Sequence, residues 1–261
     1  MPIEAINSIN TNVAASSTAR ILVESGLGLQ RSLLRAASGL RLNSPEVDPA
    51  ALAQFMQFDA QISRLGAVDV NVTNAVSFSQ TQDGFLQGAE AALNRMGELS
   101  IAAQDPTKNP QDLAAIQQEF SQLQDFVGDV AGKDFNGVPL FSETDVSVTS
   151  DSDGGTTTLS AIDLEATSAE GGLAGVMSGI SVSTPSAAAT ASAAISDAVQ
   201  NLASMRATVG ANLQNLTVTG EGNSTLQENL AAAGSRIADS DMATESTQMA
   251  RFNLLVQAAT N

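Results

Sequence analysis

The stretch LAQFMQFDAQISRLGAVDVNVTNAVSFSQTQDGFLQGAEAALNRMGELSIAA, Leu52 to Ala103, decides the fold. Its apolar residues Phe58, Ile62, Leu65, Val68, Val72 and Val76, then Leu86, Ala89, Leu93 and Met96 with Ser100, return at steps of three and four, the spacing of one helix face. Asp48-Pro49 before it supplies a capping side chain and a first-turn proline, and Asp105-Pro106 after it stops the pattern. A helix of that span is ~80 Å long and cannot fold back on itself. Its stripe has to be covered by other long helices.

The flanking sequence supplies them. Upstream, Ala15, Thr18, Leu22, Gly26, Leu29, Leu33, Ala36 and Leu40 form a heptad seam, with Ile6, Ile9 and Val13 on a neighbouring seam after a phase slip. Small and polar members weaken this seam, so the helix needs a partner. Gly39, Asn43, Ser44 and Pro45 break the pattern and mark a boundary. Downstream, Asp105 to Pro110 reads as a turn with Asn109 as cap and Pro110 in the first helical position. Leu113, Ile116, Phe120, Leu123, Val127 and Val130 then alternate at three and four until Gly132. The short turn makes this helix antiparallel to the long one.

Phe135-Asn136-Gly137-Val138 is a hairpin signal. Val146 and Val148, Thr156 to Leu164 and Ile180 to Val182 are β-branched segments separated by Asp, Ser and Gly, and predict strands. Asp151-Ser152-Asp153-Gly154 resembles the start of a calcium loop, but Gly155 and Ile162 stand where further oxygen ligands are required, so it reads as an acidic turn. Helical spacing returns with Ile195, Val199, Leu202, Arg206, Val209, Leu213 and Leu216, then Leu226, Leu230, Ala233 and Ile237. Propensity alone predicts a break at Thr217 to Thr225, which holds Gly220 and Gly222. Met249, Phe252, Val256 and Ala259 make a last short stripe.

The expected fold is mainly α with a small β part: an elongated antiparallel helical bundle, a rod with β-hairpins, whose termini meet as a coiled-coil-like helix pair. Residues 1–43 with 240–261 form a terminal helical domain. Residues 44–239 form the rod domain, with 134–184 as its strand and loop region.

Composition narrows the function. The chain has no His and no Cys, which excludes imidazole triads, thiolate metal sites and disulfides. A net charge of −17 speaks against nucleic acid and anionic lipid as partners. The charge is uneven: Met1 to Arg41 is net positive, whereas Asp134 to Thr184 carries eight acids and no base. No run reaches the apolar length of a membrane span, and Met1-Pro2-Ile3-Glu4 lacks the features of a signal peptide.

Several motifs resemble those of bacterial flagellins. Asn7-Ser8-Ile9-Asn10-Thr11-Asn12 is similar to their Ile-Asn-Thr-Asn opening, and Ala37-Ser38-Gly39-Leu40-Arg41-Leu42-Asn43-Ser44 to their Ser-Ser-Gly-Leu-Arg-Ile-Asn-Ser segment. Ser79 to Leu86, Leu93 to Leu99 and Phe135-Asn136-Gly137 also match, as does Ser235-Arg236-Ile237-Ala238-Asp239-Ser240-Asp241-Met242-Ala243-Thr244-Glu245 near the other end. The resemblance covers both terminal thirds in order. It implies a subunit of the bacterial flagellar filament, without cofactors, that polymerises with itself through an inner tube of terminal helices and an outer tube of long ones. It also implies an extracellular location reached by the flagellar type III route without a cleaved signal peptide. A secretion chaperone, the filament cap and hook-junction proteins are the implied partners. In the family, Ser186 to Ile237 corresponds to one continuous helix, which overrides the propensity break.

On this reading Leu22, Leu29, Leu33, Leu40, Phe252 and Val256 carry the inner pairing that builds the polymer. Arg95, Leu99 and Glu119 match positions through which the vertebrate Toll-like receptor for flagellin senses the family, although Gly97 and Ala102 replace the usual Arg and Gln nearby. Two further departures stand out. Ser44-Pro45-Glu46-Val47-Asp48-Pro49 places two prolines in the connector, and family members continue past the match at Gln257 to Thr260, so on the resemblance either the chain is truncated at its C-terminus or its inner pairing is incomplete. Residues 134–184 leave no room for large outer domains. The competing readings are a hook-filament junction protein, which shares the terminal helices, and a helical surface adhesin. An enzyme is not expected: Asp239 and Asp241 lack any accompanying nucleophile or pocket signal.

Overall fold

The computed structural model describes residues 12–165 and 172–260. The phase-slipped Ile6 and Ile9 and the Ile-Asn-Thr-Asn opening up to Thr11 therefore lie outside the described residues. In chain order the elements are α1 (Val13–Ser38), α2 (Pro49–Ala103), α3 (Pro110–Ala131), β1 (Asp134–Phe135), β2 (Val138–Pro139), β3 (Val146–Thr149), β4 (Thr156–Leu159), α4 (Ala174–Met177), α5 (Pro185–Ala238) and α6 (Met242–Thr260). The chain packs as two compact units, one of Met1–Ser63 with Leu226–Asn261 and one of Arg64–Thr225. The helices break between Ser38 and Pro49 and between Ala238 and Met242, whereas the division by packing lies inside α2 and α5, after Ser63 and after Thr225.

The unit Arg64–Thr225 is built on the predicted stripe of α2. Leu86, Ala89, Leu93 and Met96 are wholly buried, joined by Phe120 and Val130 from α3 and by Ala198, Leu202 and Leu216 from α5. Both neighbours run antiparallel to α2. Arg95 meets Glu119 of α3, and seven residues earlier Gly88 faces Phe126, seven residues later. Gly97 lies against Ile195 of α5, Asp83 against Arg206 and Val72 against Gly220. Asn109 caps α3 by accepting the Asp112 amide at 2.9 Å, with Pro110 at its start as expected.

The β part consists of two antiparallel hairpins. Phe135 pairs with Val138, and the turn residues Asn136 (φ 54) and Gly137 (φ 80) adopt the left-handed backbone that a two-residue hairpin loop demands. β3 pairs with β4 from Val146–Leu159 to Thr149–Thr156, closed by the Asp151 to Gly154 turn. Ile180 to Val182 is not a strand. Val182 is buried, but its amide donates to the Gln117 side chain at 2.6 Å, so a helix side chain supplies the partner that a ladder would have supplied.

The break predicted by propensity at Thr217 to Thr225 is absent: α5 runs unbroken through it. Leu216 is fully buried, a Cβ on Gly220 would rest 3.6 Å from the Val72 side chain, and Asn223 Nδ2 donates to the Ser150 carbonyl at 2.8 Å. Tertiary packing outweighs a local preference of about 1 kcal/mol per glycine.

In the unit Met1–Ser63 with Leu226–Asn261, α1 lies on α6, and Gly234 of α5 approaches the Phe55 ring of α2. No helix among the described residues is long and apolar enough to cross a membrane.

Candidate helix-pairing interface

Each terminal helix is fixed at an end by its own sequence. Asn12 accepts the Ala15 amide at 3.0 Å to open α1, and Gly39 (φ 72) closes it with a left-handed residue. Asp241 opens α6: its carboxylate accepts the Thr244 hydroxyl and the Ala243 and Thr244 amides, which holds its pKa below the ordinary carboxylate value, the Thr244 hydroxyl contributing most. Between the helices a short antiparallel bridge joins Leu40 to Asp239. The Arg41 amide donates to the Ala238 carbonyl at 2.6 Å, the Ser240 amide to the Gly39 carbonyl at 2.9 Å, and the Arg41 guanidinium to the Ile237 carbonyl at 2.7 Å.

This bridge turns α1 and α6 onto one another in antiparallel register. Arg35 Nη1 lies 3.2 Å from Glu245 Oε1. Seven residues earlier on α1, Gly28 faces Phe252, seven residues later on α6. The contact face of α1 is lined by Ser25 and Ser32, both buried, and by half-buried Leu22, Leu29 and Ala36. The face of α6 holds buried Glu245 with half-buried Met249, Phe252, Val256 and Ala259.

The opposite sides of both helices are also apolar. Val23, Leu27 and Leu34 follow one another by four and seven residues, roughly opposite Ser25 and Ser32 at about 100° per residue. Leu254 stands roughly opposite Phe252 by the same count. These four are 49–67% exposed. A two-sided apolar helix in water points to a second covering surface.

The predicted pairing residues separate into three groups. Leu22, Leu29, Phe252 and Val256 are half-buried on the facing sides of α1 and α6, and Phe252 meets Gly28. Leu33 remains half exposed and lies off that face. Leu40 is not on α1 at all, because the helix ends at Ser38 and Leu40 enters the bridge to Asp239. Ser25, Gly28 and Ser32 carry no apolar signal in the sequence. Their signal was small size recurring at three and four, the pattern that lets two helix backbones approach closely.

Of the residues matched to receptor sensing, Arg95 donates to Glu119 Oε1 at 2.7 Å and to Glu98 Oε2 at 2.8 Å on the surface, which raises its pKa, the Glu119 hydrogen bond leading. Leu99 is only 5% exposed and belongs to the core beneath them.

Residues 9–145 match the family model of the bacterial flagellin N-terminal helical region, and residues 192–261 that of the C-terminal helical region. The chain is 30% identical to Flagellin FlaB2 of Treponema pallidum, over 97% of this chain and 93% of the relative. It is 30% identical to the flagellar filament core protein flaB2 of Brachyspira hyodysenteriae, over 96% and 92% respectively. The crystal structure of Bacillus cereus flagellin superposes with a TM-score of 0.52 at 28% identity, covering 63% of this chain and 94% of that one.

Proposed function

The chain belongs to the bacterial flagellin family, and on that premise we propose that it polymerises by laying the outward apolar faces of α1 and α6 against neighbouring copies. It is a structural subunit of the extracellular flagellar filament. The observation that supports this mode of assembly is the exposure of Val23, Leu27, Leu34 and Leu254 on the sides turned away from the α1–α6 contact. Burying such faces contributes about 25 cal/mol per Å² of apolar area. A contact that joins two different surfaces closes into a ring where its rotation closes and continues as an open helix where it does not.

Within this scheme Leu22, Leu29, Phe252 and Val256 hold the terminal pair together. Leu33 adds to the outward face, and Leu40 sets the angle at which the pair leaves the connector. Residues 1–43 with 240–261 act as the inner part of the filament and 44–239 as the outer part. Export follows the flagellar type III route, with a chaperone covering the apolar faces until the cap and hook-junction proteins receive the subunit. Arg95 and Glu119 are the exposed polar contacts for a Toll-like receptor, with Leu99 supporting them from beneath.

The test is negative-stain microscopy of concentrated protein beside a Val23→Asp, Leu27→Asp variant. Filaments are expected from the parent and none from the variant, with helix content by circular dichroism unchanged. Equally long filaments from both would overturn the proposal.

A further inference from the structure

We infer that two contacts one heptad apart, Arg35 with Glu245 and Gly28 with Phe252, act together as a register key that selects how α1 slides against α6. The inference concerns the single molecule; its consequence for the filament rests on the reading above, because the register decides which apolar faces point outward together.

The Leu40–Asp239 bridge anchors one end of the pair, and a slide has to break it; beyond that anchor the seam itself is permissive, so the register along it needs a key. Its apolar members recur by heptads on both helices, so a slide of seven residues brings similar side chains together again. The buried Ser25 and Ser32 add little preference of their own. The two contacts break this degeneracy. Sliding α6 by seven residues one way puts Glu245 against Gly28 and Phe252 against Ile21. Sliding it the other way puts Phe252 against Arg35 and Glu245 against Leu42, beyond the end of α1.

In both slipped states a carboxylate that is 5% exposed loses its guanidinium, and the Phe252 ring loses the only position on that face without a side chain. In the observed register the ring occupies the space of a Cβ: a Cβ on Gly28 would lie 2.6 Å from Phe252 Cε1. Glu245 Oε2 is buried without a hydrogen-bond partner, so the Arg35 contact through Oε1 is the polar compensation of that carboxylate. A buried charge with a single partner discriminates strongly between registers while adding little net stability, as a buried polar residue does in a coiled coil.

The chain has no cysteine, so register can be read by disulfide trapping in dilute protein. Ser32→Cys with Met249→Cys reports the observed register; Ser32→Cys with Met242→Cys or with Val256→Cys reports a slip of seven either way. In the parent background the first pair should cross-link at least tenfold more than either slipped pair. Glu245→Arg should cut that ratio at least tenfold, and adding Arg35→Glu should restore it. Phe252→Ala should lower the ratio on its own. The inference is overturned if the ratio survives Glu245→Arg, if charge exchange fails to restore it, or if Glu245→Arg abolishes all three cross-links, which would make the pair glue and not a selector. Loss of filaments with the register kept would count only against the assembly reading.

Discussion

The ring of Phe252 stands where a side chain on Gly28 would begin: three of its carbons lie 2.6–2.9 Å from the position of a Cβ there. The ring is half-buried, so Gly28→Ala can be accommodated by a small swing and gains helix propensity of about 1 kcal/mol. Gly28→Leu cannot. It should cost about 1–3 kcal/mol of α1–α6 pairing through overpacking. Hydrogen exchange should accelerate in α6 for Gly28→Leu, leave Leu86 to Met96 of α2 protected, and change little for Gly28→Ala.

Arg206 sits among the apolar residues of α5 and is held at the edge of the core by two acids of α2, Asp83 Oδ1 at 2.9 Å and Glu90 Oε2 at 2.6 Å. The Arg206 hydrogen bond, opposed by burial, leaves the Asp83 pKa below the ordinary carboxylate value. A carboxyl whose folded pKa is depressed adds stability that is complete above its unfolded pKa of about 3.9 and disappears as pH falls through the folded value. Arg206→Met should therefore cost about 0.5–1 kcal/mol near neutrality, limited because a third of the Arg206 side chain remains in water. Denaturant titrations of the two proteins should converge as pH falls through the depressed folded pKa of Asp83.

Glycine 222 meets nothing within 4 Å where a Cβ would stand, and Gly220 meets only an ordinary contact with Val72. Neither has a left-handed backbone. Gly222→Ala and Gly220→Ala should each raise stability by up to about 1 kcal/mol, by helix propensity and by restricting the unfolded chain. Thermal unfolding followed at 222 nm checks this; a fall in midpoint for Gly222→Ala would mean that α5 needs its weakness there.

The same segment marks where local sequence stops being sufficient. Thr217 to Thr225 reads as a break because propensity counts only neighbours along the chain, and the contacts that hold it, Val72 and Ser150, come from residues about 70 positions or more away. The stripes of α2 and α3 were legible because each is long, apolar and covered along most of its length. The hairpin at Asn136-Gly137 was legible because its backbone demand is local. On α1 the apolar seam runs through Gly26 and Leu33 in the sequence, but the covered face runs through Ser25 and Ser32, since close approach by α6 rewards small side chains over large ones. Arg35–Glu245 was invisible for another reason: it joins residues 210 positions apart.

At Gly137, φ is 80°, a backbone that costs an L-residue about 1–2 kcal/mol. Gly137→Val should lower stability by at least that amount and loosen the β1–β2 hairpin, which the Leu140 carbonyl ties to Gln82 on α2. Amide exchange at Leu140, whose N–H donates to the Lys133 carbonyl, is the local reporter. Asn136→Gly, which relieves the left-handed strain at φ 54, should leave it unchanged or slower.

Charge sets the last expectation. Arg64–Thr225 holds nineteen acidic residues against five basic ones, so it carries −14 of the net −17, whereas Met1–Ser63 with Leu226–Asn261 holds nine against six. Copies brought together by the apolar faces of α1 and α6 must therefore also bring together strongly anionic surfaces. Raising salt from about 0.1 M to about 1 M shortens the screening length from ~10 Å to ~3 Å and weakens that repulsion, while burial of Val23, Leu27 and Leu34 is little affected. The concentration needed for filament growth, followed by light scattering, should fall severalfold over that range. Chloride and sulfate at equal ionic strength separate the two contributions, because sulfate strengthens apolar burial as well. A critical concentration that rises with sodium chloride would mean that ion pairs between copies, and not the apolar faces, hold the polymer.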